Sequence, residues 1–275
     1  MTRDALEQLI EPLRATPKVA ALLFDVDGTL APIVKDPAEA NVPAPTRAAL
    51  RELAGRFALV ACVSGRRAIE ARRLVGVEEL TYAGNHGLEV LAPGEQEAAL
   101  DQSLGDRTHQ AQQFALGLDS EALSEAGLRL EDKGPIQALH WRGSPDQPAA
   151  ERRAREIAER AERAGLEPRW GRKVLELRPI TDVDKGTAVR RLLHGVDVRL
   201  ALFAGDDRTD LDAIRAIRSL VDRGDLRGAV CIGIASAEAP ADLAEEVDAV
   251  VSSPADLVEV LAMLASADAA EGASA

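Results

Sequence analysis

The residues best equipped for chemistry stand in the run Leu22 to Leu30, which reads Leu-Leu-Phe-Asp-Val-Asp-Gly-Thr-Leu. Side chains alternate along a strand, so Asp25 and Asp27 leave its end on the same side. That end is where open α/β sheets bind their ligands. Two converging carboxylates suit a divalent cation; Gly28 permits a sharp turn, and the Thr29 hydroxyl with nearby N–H groups can cradle a phosphate. Taken alone, Asp-Val-Asp-Gly is equally compatible with turn chemistry after a buried strand. Three other segments argue for a site. Leu59 to Val63 is a second apolar run and stops at Ser64-Gly65-Arg66, which offers a phosphate ligand. Leu200 to Ala204 is a third, ending in Gly205-Asp206-Asp207-Arg208-Thr209-Asp210, acidic oxygens suited to a hard cation such as Mg²⁺. Asp184-Lys185-Gly186 opens a helical stretch, Thr187 to His194, and brings an ammonium group for a phosphate or for the aspartate that would attack it.

In this order, Asp25-Val26-Asp27-Gly28-Thr29, Ser64, Lys185 and Gly205-Asp206-Asp207 resemble the four motifs of the haloacid dehalogenase-like phosphohydrolases. The resemblance implies that Asp25 attacks phosphorus to form an aspartyl-phosphate. It implies that Asp27 is the general acid and base, with Lys185 the third catalytic residue. It also implies a phosphate cradle of Gly28, Thr29, Ser64, Gly65, Arg66 and Lys185. Mg²⁺ would be held by the Asp25 side chain, the Asp27 backbone carbonyl and Asp206, with Asp207 and Asp210 in the same acidic cluster.

More than a hundred residues separate Ser64 from Lys185, far beyond an ordinary connection, so an inserted cap is expected. After a core strand near Leu80 to Ala83 comes Asn85-His86-Gly87. Gln110 to Ala126 then reads as a helix, Leu128 to Lys133 and Ile136 to Trp141 as a hairpin turning at Gly134-Pro135, Ala149 to Ala164 as a charged helix and Val174 to Leu177 as a strand. This predicts an α+β cap over 105–179. The segments Leu130-Glu131-Asp132-Lys133-Gly134, Ala138-Leu139-His140-Trp141-Arg142 and Gly171-Arg172-Lys173-Val174-Leu175-Glu176-Leu177-Arg178-Pro179 look like those of the trehalose-6-phosphate phosphatase family. The resemblance covers most of residues 20 to 215. It implies substrate contacts from Asn85, His86, Gly87, Glu131, Lys133, Arg142 and Glu176, whose charged groups suit sugar hydroxyls. His109 and His194 read as ordinary packing or capping residues. One departure stands out: Leu211 follows Thr209-Asp210 where the family usually carries an acidic residue. That leaves open another glycosyl phosphate, of glucosylglycerol or glycosyl-phosphoglycerate type. A non-catalytic sugar-phosphate sensor is the other class of reading, but it has no need of Asp25, Asp27, Lys185 and Asp206 together.

Leu211 to Arg223 reads as a helix, Gly228 to Ile234 as a strand, Val247 to Val251 as an edge strand and Leu257 to Leu264 as a closing helix. The fold class is α/β, a doubly wound parallel sheet formed by residues 1–104 and 180–275 around the inserted cap. Thr2 to Ala15 reads as a docked amphipathic helix, and the tail from Ala265 to Ala275 as disordered. The 275 residues, 46% hydrophobic, suffice for one large and one small domain. A net charge of −13 argues against nucleic acid and anionic membranes as partners. Cys62 and Cys231 lie in apolar runs and imply no disulfide framework. With no signal peptide and no long apolar run, a cytoplasmic monomer acting on a small sugar phosphate is expected.

Overall fold

Apolar runs separated by amphipathic stretches build two sheets in a computed structural model that describes residues 2–34, 40–171, 173–236 and 239–266. Contacts divide the chain into two units, one holding the residues up to Ala99 and from Val183 onward, the other Leu100–Asp182. The division falls five residues before and three residues after the boundaries expected from sequence. Arg172 and the tail beyond Ser266 lie outside the described residues.

The first unit begins with α1 (Arg3–Ala15), β1 (Ala20–Phe24), α2 (Ala44–Arg56), β2 (Leu59–Val63), α3 (Ala68–Val75), β3 (Thr81–Gly84) and β4 (Glu89–Leu91). A two-residue strand, β5 (Ala99–Leu100), extends the sheet edge as the chain leaves this unit. The second unit contains α4 (Gln110–Leu116), α5 (Ser120–Glu125), β6 (Arg129–Asp132), β7 (Gln137–His140), α6 (Gln147–Arg163), β8 (Leu166–Gly171) and β9 (Val174–Pro179). The chain then returns through α7 (Lys185–His194), β10 (Leu200–Gly205), α8 (Asp210–Asp222), β11 (Gly228–Ile234), α9 (Leu243–Glu246), β12 (Ala249–Val251) and α10 (Pro254–Ala265).

The large sheet runs β12-β11-β10-β1-β2-β3-β4-β5. Neighbours from β12 to β3 are parallel, and β4 pairs antiparallel with β3. β1 is apolar on both sides because both are covered, as a central parallel strand requires. Leu22 and Phe24 join Ile10, Leu50 and Leu264 in one cluster, with α1, α2 and α10. The intervening Leu23 joins Val189, Phe203, Ile214 and Ile217 in another, with α7 and α8. The sheet is therefore wound on both faces. The chain steps one way from β1 to β2 and β3 and the other way through β10, β11 and β12, so the order reverses between β1 and β10. The crevice at the carboxyl ends of such a pair is where ligands bind. Cys62 and Cys231 are free and buried in β2 and β11. Among the described residues no helix is long and apolar enough to cross a membrane.

The smaller sheet runs β6-β7-β9-β8 with antiparallel neighbours throughout. Leu139, Leu175 and Leu177 pack against Ala154, Ile157 and Ala161 of α6 and Ala111 of α4. The single helix expected over Gln110 to Ala126 is two. Gly117 ends the first, and the Asp119 carboxylate accepts the Glu121 and Ala122 N–H groups to start the second. β8 was not anticipated because Pro168 interrupts its pattern; it is an edge strand, where a missing N–H is tolerated.

Gly186 lets α7 lie against α8, for a Cβ there would come 2.5 Å from the Asp212 carbonyl oxygen. Helix propensity favours alanine over glycine by about 1 kcal/mol, whereas forced separation of packed elements costs roughly 1–3 kcal/mol. Gly186→Ala is therefore expected to lower the melting temperature, as differential scanning calorimetry will show.

Candidate active site

Asp25 sits one residue past β1, where its N–H continues the ladder by donating to the Ala204 carbonyl at 2.9 Å. Lys185, in the first turn of α7, is 1% exposed and donates to Asp25 Oδ1 and to Asp210 Oδ1, each at 2.7 Å. Asp184 caps that turn by accepting the Thr187 N–H at 2.6 Å, so the helix start itself fixes the lysine backbone. Burial alone would push Lys185 down, but Asp210, Asp25 and Asp207 outweigh it and raise its pKa well above the ordinary value. Asp25 is raised well above its ordinary value by burial, against the pull of Lys185.

The loop from β10 to α8 organises itself around its own carboxylates. Asp210 Oδ2 accepts the N–H groups of Asp206 and Asp207, both at 2.9 Å. Asp207 Oδ1 accepts from the Thr209 N–H and hydroxyl at 2.7 Å and from the Asp210 N–H at 3.1 Å. Gly205 is obligatory, since a Cβ would come 2.3 Å from the Asp210 carboxyl carbon. Gly28, at φ +92°, is doubly so: a Cβ there would lie 2.3 Å from Asp206 Oδ2. The buried Thr29 hydroxyl donates to Asp206 Oδ1 at 3.4 Å. Burial raises Asp206 to about 6 and Asp210 to about 7.

Asp27 is placed differently from Asp25. Its carboxylate is half-exposed and gripped in a fork by Arg66, Nε to Oδ2 at 2.7 Å and Nη2 to Oδ1 at 2.6 Å. Arg66, expected in the phosphate cradle, thus has its guanidinium on Asp27. Ser64 is buried at the end of β2, its hydroxyl oxygen accepting the Arg66 N–H at 3.1 Å and its carbonyl the His86 N–H at 2.9 Å. Asn85, His86 and Gly87 form a tight turn with φ of 50°, 58° and 105°. A left-handed histidine is uncommon. Its ring lies over Gly65, where a Cβ would come within 2.8 Å, so Gly65 has a steric role beside the one expected of it. Gly87 meets α7 closely, a Cβ there lying 2.7 Å from Ala188 Cβ.

Oxygens of Asp25, Asp206 and Asp210 lie within 4.8 Å of one another. Asp25 Oδ2 is buried with no hydrogen-bond partner, an orphaned acceptor of the kind a hard cation would satisfy. The residues present fit a divalent cation. Both Asp210 oxygens are already engaged, so Asp25 and Asp206 have the most to offer, while Asp207 Oδ1 accepts from Thr209 and Asp210 and Asp27 faces Arg66.

In the second unit, Glu131 and Glu176 are aligned through Ala138 on the intervening strand. They alternate with the apolar residues of β6 and β9, so they face away from the helices. Lys133 Nζ is 2.8 Å from Glu176 Oε1, and Arg178 Nε is 3.9 Å from Glu176 Oε2. His140 Nε2 is 2.8 Å from Glu131 Oε2. That contact is the largest influence on Glu131 and, against burial, holds it down at about 2. Arg142 lies exposed beyond β7, its carbonyl accepting from Gln147 at 2.9 Å. His140 and Arg178 belong to this charged face although no role was expected of them. Their period-two spacing from Ala138 and Glu176 was the available signal.

Asp206 supplies a test of cation binding that needs no turnover. Its folded pKa of about 6 exceeds the ordinary 3.8, so the metal-free native state holds the proton longer than the unfolded chain. That stability is fully present below the ordinary value and lost as pH rises through about 6. If a divalent cation binds here, Mg²⁺ is expected to raise the wild-type melting temperature, and Asp206→Asn is expected to raise the metal-free melting temperature at pH 7.5 and to abolish that response to Mg²⁺.

The family described as Trehalose-phosphatase matches residues 23–246. A probable trehalose-phosphate phosphatase 4 of Oryza sativa subsp. japonica is 35% identical over 73% of this chain and 56% of its own. A trehalose-phosphate phosphatase of Mycobacterium marinum is 36% identical over 78% and 55%. The chain thus spans little more than half the length of these curated relatives. The C-terminal domain of Candida albicans trehalose-6-phosphate phosphatase is similar in structure, with a TM-score of 0.72 over 96% of this chain and 97% of that one. At 21% identity that likeness bears on the fold. The matched span runs from within β1 to the end of α9 and takes in both sheets, and the chain belongs to the trehalose-phosphatase family.

Proposed function

We propose that the chain is a Mg²⁺-dependent phosphatase that hydrolyses trehalose 6-phosphate through an aspartyl-phosphate on Asp25. The observation that carries this reading is the state of the Asp25 carboxylate. At the sheet's switch point it has one oxygen fixed by a fully buried lysine and the other buried without a partner. A structural aspartate has both oxygens satisfied. Mg²⁺, held by Asp25 and Asp206, would screen the charge of an incoming phosphate dianion.

In this scheme a carboxylate oxygen of Asp25 forms a bond to phosphorus while the bond from phosphorus to the sugar oxygen breaks. Asp27 gives its proton to the departing sugar oxygen. It then takes a proton from the water that attacks phosphorus, which frees phosphate and restores Asp25. The Arg66 fork orients Asp27. Lys185 keeps Asp25 in place without competing for the second oxygen.

The charged face of the second unit is assigned the sugar, because Glu131, Lys133 and Glu176 present fixed acceptors and a donor for hydroxyls. Leu211, the departure from the family pattern, is 2% exposed and packs among Ile214, Ile217 and Phe203. It is a core residue, so this departure does not by itself argue for another glycosyl phosphate. A monomer acting on a small molecule accords with the −13 net charge.

Phosphate release from a panel of glycosyl phosphates in the presence of Mg²⁺ is expected to rank trehalose 6-phosphate first; comparable turnover of glucose 6-phosphate would contradict the disaccharide assignment. Asp27→Asn is expected to slow trehalose 6-phosphate far more than p-nitrophenyl phosphate, whose leaving group needs no proton. An equal loss on both would remove the acid role. Glu176→Ala is expected to lower kcat/KM for trehalose 6-phosphate while changing p-nitrophenyl phosphate little, since binding energy remote from phosphorus is used only by the larger substrate.

A further inference from the structure

Glu131 and Glu176 lie two strands apart, about 10 Å by strand spacing, with only the methyl of Ala138 between them. Two carboxylates on one small sheet repel each other unless each has its own cation. Glu176 has Lys133 at 2.8 Å and Arg178 beyond it. For Glu131 the close partner is His140, on the neighbouring strand and diagonal to it. Arg129 stands opposite His140 and reaches the same Glu131 oxygen only at 3.5 Å. Its side chain is 69% exposed against 30% for His140, so the imidazole is the better fixed of the two.

We infer that His140 is a positioning residue for sugar recognition. It holds Glu131 by one carboxylate oxygen and leaves the other turned to accept a substrate hydroxyl. The inference rests on the reading of this face as the sugar site. A glutamate on an open sheet surface samples several rotamers, and fixing it beforehand removes an ordering cost that would otherwise fall on binding. At 2.8 Å the His140 contact to Glu131 is shorter than the 3.5 Å approach of Arg129. A cross-strand pair that merely steadied the hairpin would serve equally well on a face with no ligand, and the two roles separate in experiment.

The test uses the full chain and four proteins: wild type, His140→Gln, Glu131→Gln and the double variant. Each is assayed for kcat and KM on trehalose 6-phosphate and on p-nitrophenyl phosphate. His140→Gln is expected to raise KM for trehalose 6-phosphate about tenfold, but by less than about twofold when Glu131→Gln is already present, because residues acting through one another are not additive. The same loss in both backgrounds, or a parallel loss on both substrates, would overturn the inference. If the wild-type enzyme shows no preference for trehalose 6-phosphate over p-nitrophenyl phosphate, the functional reading falls and this role with it. If it does and His140→Gln retains that preference in full, this inference alone falls.

Discussion

The acidic cluster at the candidate active site is arranged around one ammonium group. Lys185 is removed from water and shared between Asp25 and Asp210 at equal distance. Deleting one member of such a buried set leaves an uncompensated charge, a loss of roughly 3–5 kcal/mol, although burying the whole set is itself of little net benefit. The lysine therefore does more to dictate position than to add stability. It ties the end of β1 to the start of α8 and comes from the start of α7, so three separate segments must meet before it is satisfied. Asp210 completes the arrangement by taking the N–H groups of Asp206 and Asp207, which aims Asp206 back toward Asp25.

The glycines follow from the same crowding. Gly28 and Gly205 leave no room for a methyl because carboxylates occupy it, and Gly186 lets α7 approach α8 closely enough for its neighbour Lys185 to reach across. Burial then raises Asp25, Asp206 and Asp210 together. A cluster of carboxylates that resists ionisation is poorly suited to being a structural end in itself and well suited to a cation that would compensate it.

How much of this was legible in the sequence depends on the range of the interactions. The parallel strands were readable because each is an apolar run stopped by a polar or glycine-rich turn. Leu59–Val63 and Gly228–Ile234 have the expected bounds to the residue. The residues at those strand ends were readable for the same reason: spacing along one strand or across one turn decides where they emerge. The Arg66 fork on Asp27 and the His140 contact to Glu131 were not. They join residues from different elements, and only strand register brings the partners together. β8 escaped because Pro168 argues against a strand unless its edge position is known, and the break at Gly117 was hidden by an apolar pattern that continues on both sides of it.

The account's central claim is that Asp25 becomes covalently phosphorylated, and a trapped single turnover tests it most directly. Wild-type enzyme in excess over trehalose 6-phosphate, with Mg²⁺, is quenched in acid within milliseconds to seconds, digested and sequenced by mass spectrometry. The account predicts an acid-stable, hydroxylamine-sensitive phosphoryl group on Asp25, absent from Asp25→Asn. Phosphate release at the normal rate with the label on another residue, or persisting in Asp25→Asn, would contradict it.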